Sequence, residues 1–433
     1  MVSKFIQHHV FKALCTVVFS TPFISSGQEV TSDSLRLTVP QAEAIFLKKN
    51  LVLLANQYNV DINKALKEQA KLWDNPVLNT DQNIYDGKFF RHKTENGQQY
   101  GQVYIQVQQL IRTAGKISKQ TQLAEDNIHS AQAQLKDVLR NLKYILAIDM
   151  NNLAALQKTA SIYTSEIQTM KTMVRGMNEM LKLGDISQKE NVRIKALLFS
   201  IQNDLSDNQR QQIDIEKEIA QLLQLNDNVW VVADAAQSIA GSQVNDLKFG
   251  SLLDSTLHNR PDLEYAKVQN ELQKHTIDYQ KALAKPDFNV GIEYDKLNSY
   301  VSNYYGLTIS VPVPIFNKNK GNIAAARLSY EQSSVVLQQA QSQANKDLLS
   351  AWMKLKNATD ILNSDNDQLN VNYDVIMKNM TESYRRREVG LTEFIDFFDA
   401  YKDTRIKQWQ LIANQRNAAA ELNFAASQSI LSL

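Results

Sequence analysis

Two aspartates near the carboxyl end have a spacing that could form a cation site. Asp396 and Asp399 are separated by two phenylalanines in the segment LTEFIDFFDA. Residues three apart share one face of a helix, and carboxylates gathered at a pore mouth attract cations and repel anions. The alternative is a solvated acidic face beside apolar neighbours, and charge patterning alone favours that alternative.

No other group of residues has the pattern of a catalytic or metal site. The histidines lack the spacing of metal ligands, and the only cysteine, Cys15, lies in the amino-terminal segment. The sequence has no glycine-rich phosphate loop, nucleophile elbow or acid-base constellation. We therefore expect a protein that is not an enzyme and that holds no cofactor and no metal.

The charges are nearly balanced and are interspersed along the chain. Lys and Arg number 47 and Asp and Glu number 46, which gives a formal net charge of +1. Because no basic tract is available to neutralise a phosphate backbone, nucleic acid is not an expected partner.

The first 27 residues have the features of a secretory signal peptide. Lys4 and Lys12 precede an apolar run over residues 13–24, and small residues follow at 25–27. The alternative, an uncleaved membrane anchor, needs about 20 apolar residues, and this run is shorter. We expect the mature chain to be exported and to start at Gln28.

Residues that break helices are unusually sparse in the mature chain. No proline occurs between Pro76 and Pro261, and apolar residues recur at sevens, as in Leu348 and Leu355. Such spans predict very long helices that pack side by side as in coiled coils. A helix over residues 117–181 would be roughly 100 Å long at about 1.5 Å per residue.

A helix-strand-strand-helix unit occurs twice in this pattern. Predicted helices over residues 38–75 and 251–285 each end before a proline, and Asn50 and Asn259 occupy equivalent places in them. Alternating apolar residues then predict strands, at 77–85 and 102–111 in the first unit and at 287–294 and 305–316 in the second. We expect the following organisation: signal peptide 1–27, first repeat 28–226, linker 227–250 and second repeat 251–433.

Glycines mark corresponding points of the two repeats. The same number of residues separates Gly115 from Gly321, where each long helix begins, and Gly184 from Gly390, where each is interrupted. Gly184 suits a left-handed helix end, and Ser187 with Glu190 forms a capping box that starts the next helix. By this alignment Glu190 and Arg193 stand where the second repeat has Asp396 and Asp399.

With these features the chain resembles the outer-membrane efflux protein family, of which TolC is the familiar member. The resemblance rests on the helix ending in Asn75-Pro76, the turn PVPIFNKNKGNIAAA and the tips LGDIS and VGLTEFIDFFDA. It implies an α+β membrane protein with two tandem repeats. Three chains would each give four strands to one outer-membrane β-barrel that continues into a long periplasmic α-helical barrel. The turn PIFNKNKG also resembles the heavy-metal-efflux branch.

The family implies a passive exit duct of a Gram-negative tripartite (RND) efflux or type I secretion system. Its partners would be a periplasmic adaptor, an inner-membrane pump, outer-membrane lipid and two further copies of the chain. The alternative is a periplasmic coiled-coil adaptor or scaffold protein, which should carry compact domains rich in glycine and proline. Those domains are missing from the sequence.

The resemblance also assigns roles to residues at the two tips. Asp396 and Asp399 match the family's paired aspartates, which constrict the inner end of the tunnel and act as a gate. Arg387 and Thr392 stand where the family has a tyrosine and an arginine that hold the tip shut, so that latch is altered here. The expected adaptor contacts are Leu183, Gly184, Ser187, Val389, Gly390 and Thr392.

Overall fold

The computed structural model describes residues 33–433 apart from 86, 91–93, 96, 227, 235–236 and 365–372. The predicted signal peptide, residues 1–27, lies outside the described residues. The described chain is mainly helical with a four-stranded sheet, which agrees with the predicted α+β composition with long helices. Within this part of the chain, no helix has both the length and the apolar character needed to cross a bilayer.

In both halves of the chain, two helices lead into strands of the four-stranded sheet, and long helices follow those strands. Up to residue 233 they are β1 (Asp33–Leu37), α1 (Val39–Lys49), α2 (Leu51–Ala70), β2 (Val77–Gln82), β3 (Thr94–Glu95), β4 (Gln98–Gln99), β5 (Val103–Ile111), α3 (Lys116–Lys182), α4 (Gln188–Leu223) and β6 (Val229–Ala233). After residue 240 they are α5 (Gly241–Asn245), α6 (Phe249–Asn259), α7 (Pro261–Leu283), β7 (Phe288–Asp295), β8 (Tyr304–Ser310), α8 (Lys320–Ser364), α9 (Tyr373–Arg385) and α10 (Leu391–Ala426).

The four-stranded sheet joins the two halves of the chain. Its order is β2-β5-β7-β8 with every neighbouring pair antiparallel. The central pair brings Tyr104 opposite Asp295 and Ile111 opposite Phe288. Strands β2 and β8 are therefore the two edges of the sheet, and each has one side without a partner strand among the described residues.

The helices next to the sheet follow the same lateral order as the strands. α2 packs against α3, α3 against α7, and α7 against α8. Farther along α3, which has 67 residues, its neighbours become α4 and α10, and α10 in turn packs against α8. The absence of proline and the scarcity of glycine allow α3 to continue without a break from the helices next to the sheet to the helices farther from it.

Three apolar clusters hold the helices together. One joins α1, α3, α4 and β6 around Phe46 and Leu146, and a second joins α6, α8 and α10 around Leu348 and Leu422. The third lies where α3, α4 and α10 approach their tips, around Phe394. The predicted heptad residues Leu348 and Leu355 both lie in the second cluster.

The two predicted helices over 38–75 and 251–285 are each divided in two. Asn50 ends α1, and its side-chain oxygen accepts hydrogen bonds from two backbone N–H groups at the start of α2. The second division falls at Arg260, one residue after the position expected from Asn259, because Pro261 occupies the first helical position of α7.

Two predicted strands are shorter than expected. The strand expected over 305–316 ends at Ser310, because Pro312 and Pro314 have no backbone N–H to donate to a ladder. The strand expected over 77–85 ends at Gln82. In the strand expected over 305–316, the alternation of apolar residues continues past the hydrogen-bonded part, through Val311 and Val313.

The predicted glycine turn at Gly321 is wrong. Gly321 lies inside the first turn of α8, and the left-handed residue before that helix is Asn319, with φ +56°. In the first half, Gly115 does hold the expected position before α3, with φ +67°. Asparagine tolerates the left-handed region better than most residues, so the second turn does not need glycine.

Candidate functional site at the helical tips

The first tip, between α3 and α4, has the predicted local structure. Gly184 adopts φ +78°, and Asp185 N donates to Met180 O at 2.9 Å, as in a left-handed helix end. Ser187 and Glu190 form the expected capping box, with Ser187 N to Glu190 Oε2 at 2.9 Å and Glu190 N to Ser187 Oγ at 3.2 Å. These bonds satisfy backbone groups that a helix end leaves without partners.

The second tip, between α9 and α10, uses different residues for the same turn. Arg387 takes the left-handed position, with φ +62°, and Glu388 N donates to Ser383 O at 2.9 Å. Gly390 has φ −75° and is the N-cap of α10. The expected equivalence of Gly184 and Gly390 is therefore wrong, since Gly184 corresponds to Arg387.

The N-caps of α4 and α10 determine which residues of the two tips correspond. Ser187 and Gly390 are both N-caps, so Glu190 and Glu393 both occupy the third helical position. Counted from the same caps, Arg193 corresponds to Asp396. The residue matching Asp399 is Ala196, so the acidic pair belongs to the second tip alone.

The two tips contact each other through the positions of the altered latch. Arg387 Nη2 donates to Asp185 O at 3.0 Å and lies 3.8 Å from Asp185 Oδ1. Arg193 Nη1 donates to Thr392 Oγ1 at 3.4 Å. Sequence reasoning singled out Arg387 and Thr392 as departures from the family pattern, and it missed that both connect the second tip to the first.

The predicted adaptor-contact residues lie together at this end of the helices. Leu183, with 76% of its surface accessible, is the most prominent apolar side chain of the first tip. The set comprises the exposed Leu183, Gly184, Ser187, Gly390 and Thr392 and the partly buried Val389.

Asp396 and Asp399 lie on α10 just beyond the second tip. Their neighbours Phe394, Ile395 and Phe398 are buried in the apolar cluster of the tips, and Asp396 is exposed. The helix therefore separates an apolar inner face from an acidic outer one.

The charge of Asp399 is partly balanced within the chain, a feature that sequence reasoning missed. Lys402 Nζ lies 3.3 Å from Asp399 Oδ1 and 3.8 Å from Asp403 Oδ1. The spacing of three residues between Asp399 and Lys402 is the signal that could have predicted this pair. Asp396 therefore contributes the less compensated carboxylate.

Comparison with known proteins identifies the second half of the chain. Residues 252–427 match the model of the family described as "Outer membrane efflux protein". The chain carries an outer membrane efflux protein domain. The predicted family resemblance is thereby confirmed. The matched family consists of channel proteins, and this also confirms the prediction of a protein that is not an enzyme.

Several solved outer-membrane protein structures have the same fold as this chain over about 90% of its length. CusC, described with transmembrane channel formation, is 16% identical with a TM-score of 0.69, and 90% of this chain and 91% of CusC are covered. The Campylobacter jejuni CmeC outer membrane channel is 14% identical with a TM-score of 0.71, over 90% and 86%. The Vibrio cholerae outer membrane protein VceC is 13% identical with a TM-score of 0.70, over 91% and 97%. No match was found among curated proteins.

The part of the chain that the structure describes has no metal-binding cluster of three or more His, Cys, Asp or Glu residues. Two histidines instead pair with single carboxylates: His275 Nδ1 lies 2.7 Å from Asp126 Oδ2, and His129 Nε2 lies 3.5 Å from Glu125 Oε1.

Proposed function

We propose that this chain is the outer-membrane exit duct of a Gram-negative tripartite efflux or type I secretion system. It acts as a homotrimer whose helices extend through the periplasm, and transport through it is passive. The observation that carries the proposal is that the sheet and the helical layer beside it both end in open edges. Such edges close when copies of the chain are arranged in a ring.

The sheet edges support ring closure. β2 is exposed along its whole length, and β8 is exposed at most positions. Unpaired edge strands are an aggregation hazard that barrels abolish by closing. Pairing β8 of one copy with β2 of the next would join three four-stranded sheets into one barrel.

The two faces of the sheet support its insertion in lipid. One face carries Leu78, Val107, Ile292 and Leu307 in a cross-strand row, and all four are exposed in the single chain. The other face is polar and hydrogen-bonded, with Gln106 Nε2 donating to Glu293 Oε2 at 3.0 Å. Alternation of apolar and polar residues between faces is the pattern of outer-membrane barrels.

The edge helices carry exposed apolar rows that face no other element of the described chain. On α2 the exposed residues are Leu51, Val52, Leu54, Tyr58, Ile62 and Leu66. On α8 they include Leu328, Val335, Val336, Leu349 and Met353. Contact of α8 with α2 of the next copy would bury both rows and would close the helical layer at the same edges as the sheet.

The remaining assignments follow from this arrangement as parts of the same proposal. Repeats over 28–226 and 251–433, joined by 227–250, would give the trimer an approximate six-fold symmetry. The tips would dock a periplasmic adaptor and, through it, an inner-membrane pump. Asp396 and Asp399 would form the gate at the periplasmic end.

A cysteine cross-link tests the edge contact directly. Ile62 and Leu328 each lie eight residues from the sheet-side end of their helix, since 70 − 62 = 8 and 328 − 320 = 8. Because the only cysteine is Cys15, the double variant Ile62→Cys with Leu328→Cys should form covalent trimers in outer-membrane fractions under oxidation. Each single variant is the control and should form none. A monomeric protein in the soluble periplasmic fraction would reject the duct and leave the adaptor or scaffold alternative.

A further inference from the structure

A buried arginine on α10 lines a cavity that the proposed duct does not use. Arg416 is 7% exposed, and the cavity beside it has a volume of about 280 Å³. Its Nε donates to Asn151 Oδ1 at 3.1 Å, and its Nη1 donates to the Gln237 carbonyl at 3.3 Å. No carboxylate among the described residues forms an ion pair with it, and its Nη2 makes no hydrogen bond to a described residue.

A second buried arginine shows how the same fold treats a purely structural guanidinium. Arg260 is 4% exposed, and its Nη2 lies 2.6 Å from Asp262 Oδ2 and 3.1 Å from Asp347 Oδ2. Burying a charge is costly unless the charge is paired. Arg416 is a buried charge without a carboxylate partner among the described residues. Burial lowers the pKa of its guanidinium. Because arginine stays protonated in proteins, an anion is the group that would balance it.

The cavity is suited to an anion that carries an apolar body. Arg416, Asn151 and Thr38 contribute polar groups to its lining, while Met150, Ala154, Ala155, Trp409 and Ile412 contribute apolar side chains. A cavity of about 150 Å³ holds benzene, so this one has room for a ring and its acid group. Asp234 also lines the cavity, but its side chain is half exposed and lies 3.9 Å from Arg36 Nη1. The arginine partner reduces the repulsion that Asp234 would exert on a bound anion.

We propose that Arg416 and this cavity form a binding site for a small organic carboxylate or sulfonate. The acid group accepts charge-assisted hydrogen bonds from the guanidinium, and the apolar body lies against Trp409. A bound molecule would contact α1, α3 and α10 at once and would hold these helices together. The site is independent of the duct and its tips.

Fluorine NMR of the purified full-length protein in detergent tests the site with 4-fluorobenzoate as the probe. We expect saturable line broadening, and about tenfold weaker binding of the neutral analogue 4-fluorobenzamide. Arg416→Met should weaken 4-fluorobenzoate binding by about tenfold or more, since it removes the charge and keeps the volume. The control is Lys158→Gln, because Lys158 Nζ lies 5.3 Å from the centre of the Trp409 ring and Lys158 does not line the cavity. That variant should bind as the unmodified protein does.

A second variant keeps the test decisive if Arg416→Met does not fold. Ala155→Leu fills the cavity and leaves Arg416 in place, so it should also abolish saturable binding. Circular dichroism establishes that each variant is folded. Equal binding of 4-fluorobenzoate by the unmodified protein and a folded Arg416→Met or Ala155→Leu variant would overturn the site. Absence of saturable binding to the unmodified protein would overturn it as well.

Discussion

Buried charged side chains in this chain differ in how much they reduce the stability of the fold. Outside the cavity, Asp149 is the clearest example of a destabilising one. It is 8% exposed on α3, and its Oδ2 has no hydrogen-bond partner among the described residues. Burial, with the nearby Glu218 as a second cause, raises the pKa of Asp149 to about 6. Because this pKa is above its ordinary value of 3.8, the folded state binds the proton more tightly than the unfolded state does. The free energy of unfolding therefore falls as the pH rises from about 4 to about 6.

Asp149→Asn should remove that pH dependence. We expect stability at pH 7.5 to rise by about 1–3 kcal/mol per chain, with the gain shrinking between about pH 6 and pH 4 as the carboxylate becomes protonated in both states. The thermal unfolding midpoint, measured at several pH values, checks this. Asp214→Asn is the control, since Asp214 is exposed on α4 and should change little. A midpoint difference that is the same at pH 4 and pH 7.5 would contradict the assignment to Asp149.

Two polar contacts join the helical tips, and the one made by Arg387 is the contact that a single substitution tests most simply. Arg387 reaches Asp185 of the first tip, whereas Arg385 pairs within its own helix with Glu382 at 3.8 Å. Arg387→Ala should speed hydrogen exchange in residues 183–190 about two- to fivefold, because exposed ion pairs contribute only about 0.2–1 kcal/mol. Mass spectrometry of peptides covering the first tip measures this change.

Arg385→Ala is the matched control for the tip contact. It removes an arginine two positions away without breaking a bond between the tips, so exchange in residues 183–190 should stay as in the unmodified protein. If both variants exchange equally fast there, Arg387 does not couple the tips.

The same elements show what the sequence can and cannot predict. The limits of α3, Lys116 and Lys182, lie one residue outside the predicted 117–181, because helix breakers and heptads are local signals. The second tip escaped prediction because Arg387 holds a left-handed conformation that sequence patterns assign to glycine. Its contact with Asp185 joins residues about 200 positions apart, and one sequence contains no signal for such a pair.

At the scale of the whole molecule, the proposed gate exists only if three copies bring their α10 helices together. Each copy would then contribute Asp396, which is exposed, and Asp399, which Lys402 partly compensates. The electrostatic potential at the constriction depends on how far Lys402 offsets the charge of the aspartates. Carboxylates gathered at a pore attract cations, and those without a positive partner attract them most strongly. Substitutions of opposite charge sign should therefore shift cation affinity in opposite directions.

Planar-bilayer recordings of the reconstituted channel test this balance through block by Mg²⁺ on the periplasmic side. Asp396→Asn with Asp399→Asn should raise the half-blocking concentration about tenfold, because the carboxylates are removed. Lys402→Gln should lower it about two- to threefold, because Asp399 loses its counter-charge. Asp214→Asn removes an exposed carboxylate far from this constriction and should leave the block unchanged. If the first two variants shift the block in the same direction, or in neither, the acidic pair is a solvated helix face and not a gate.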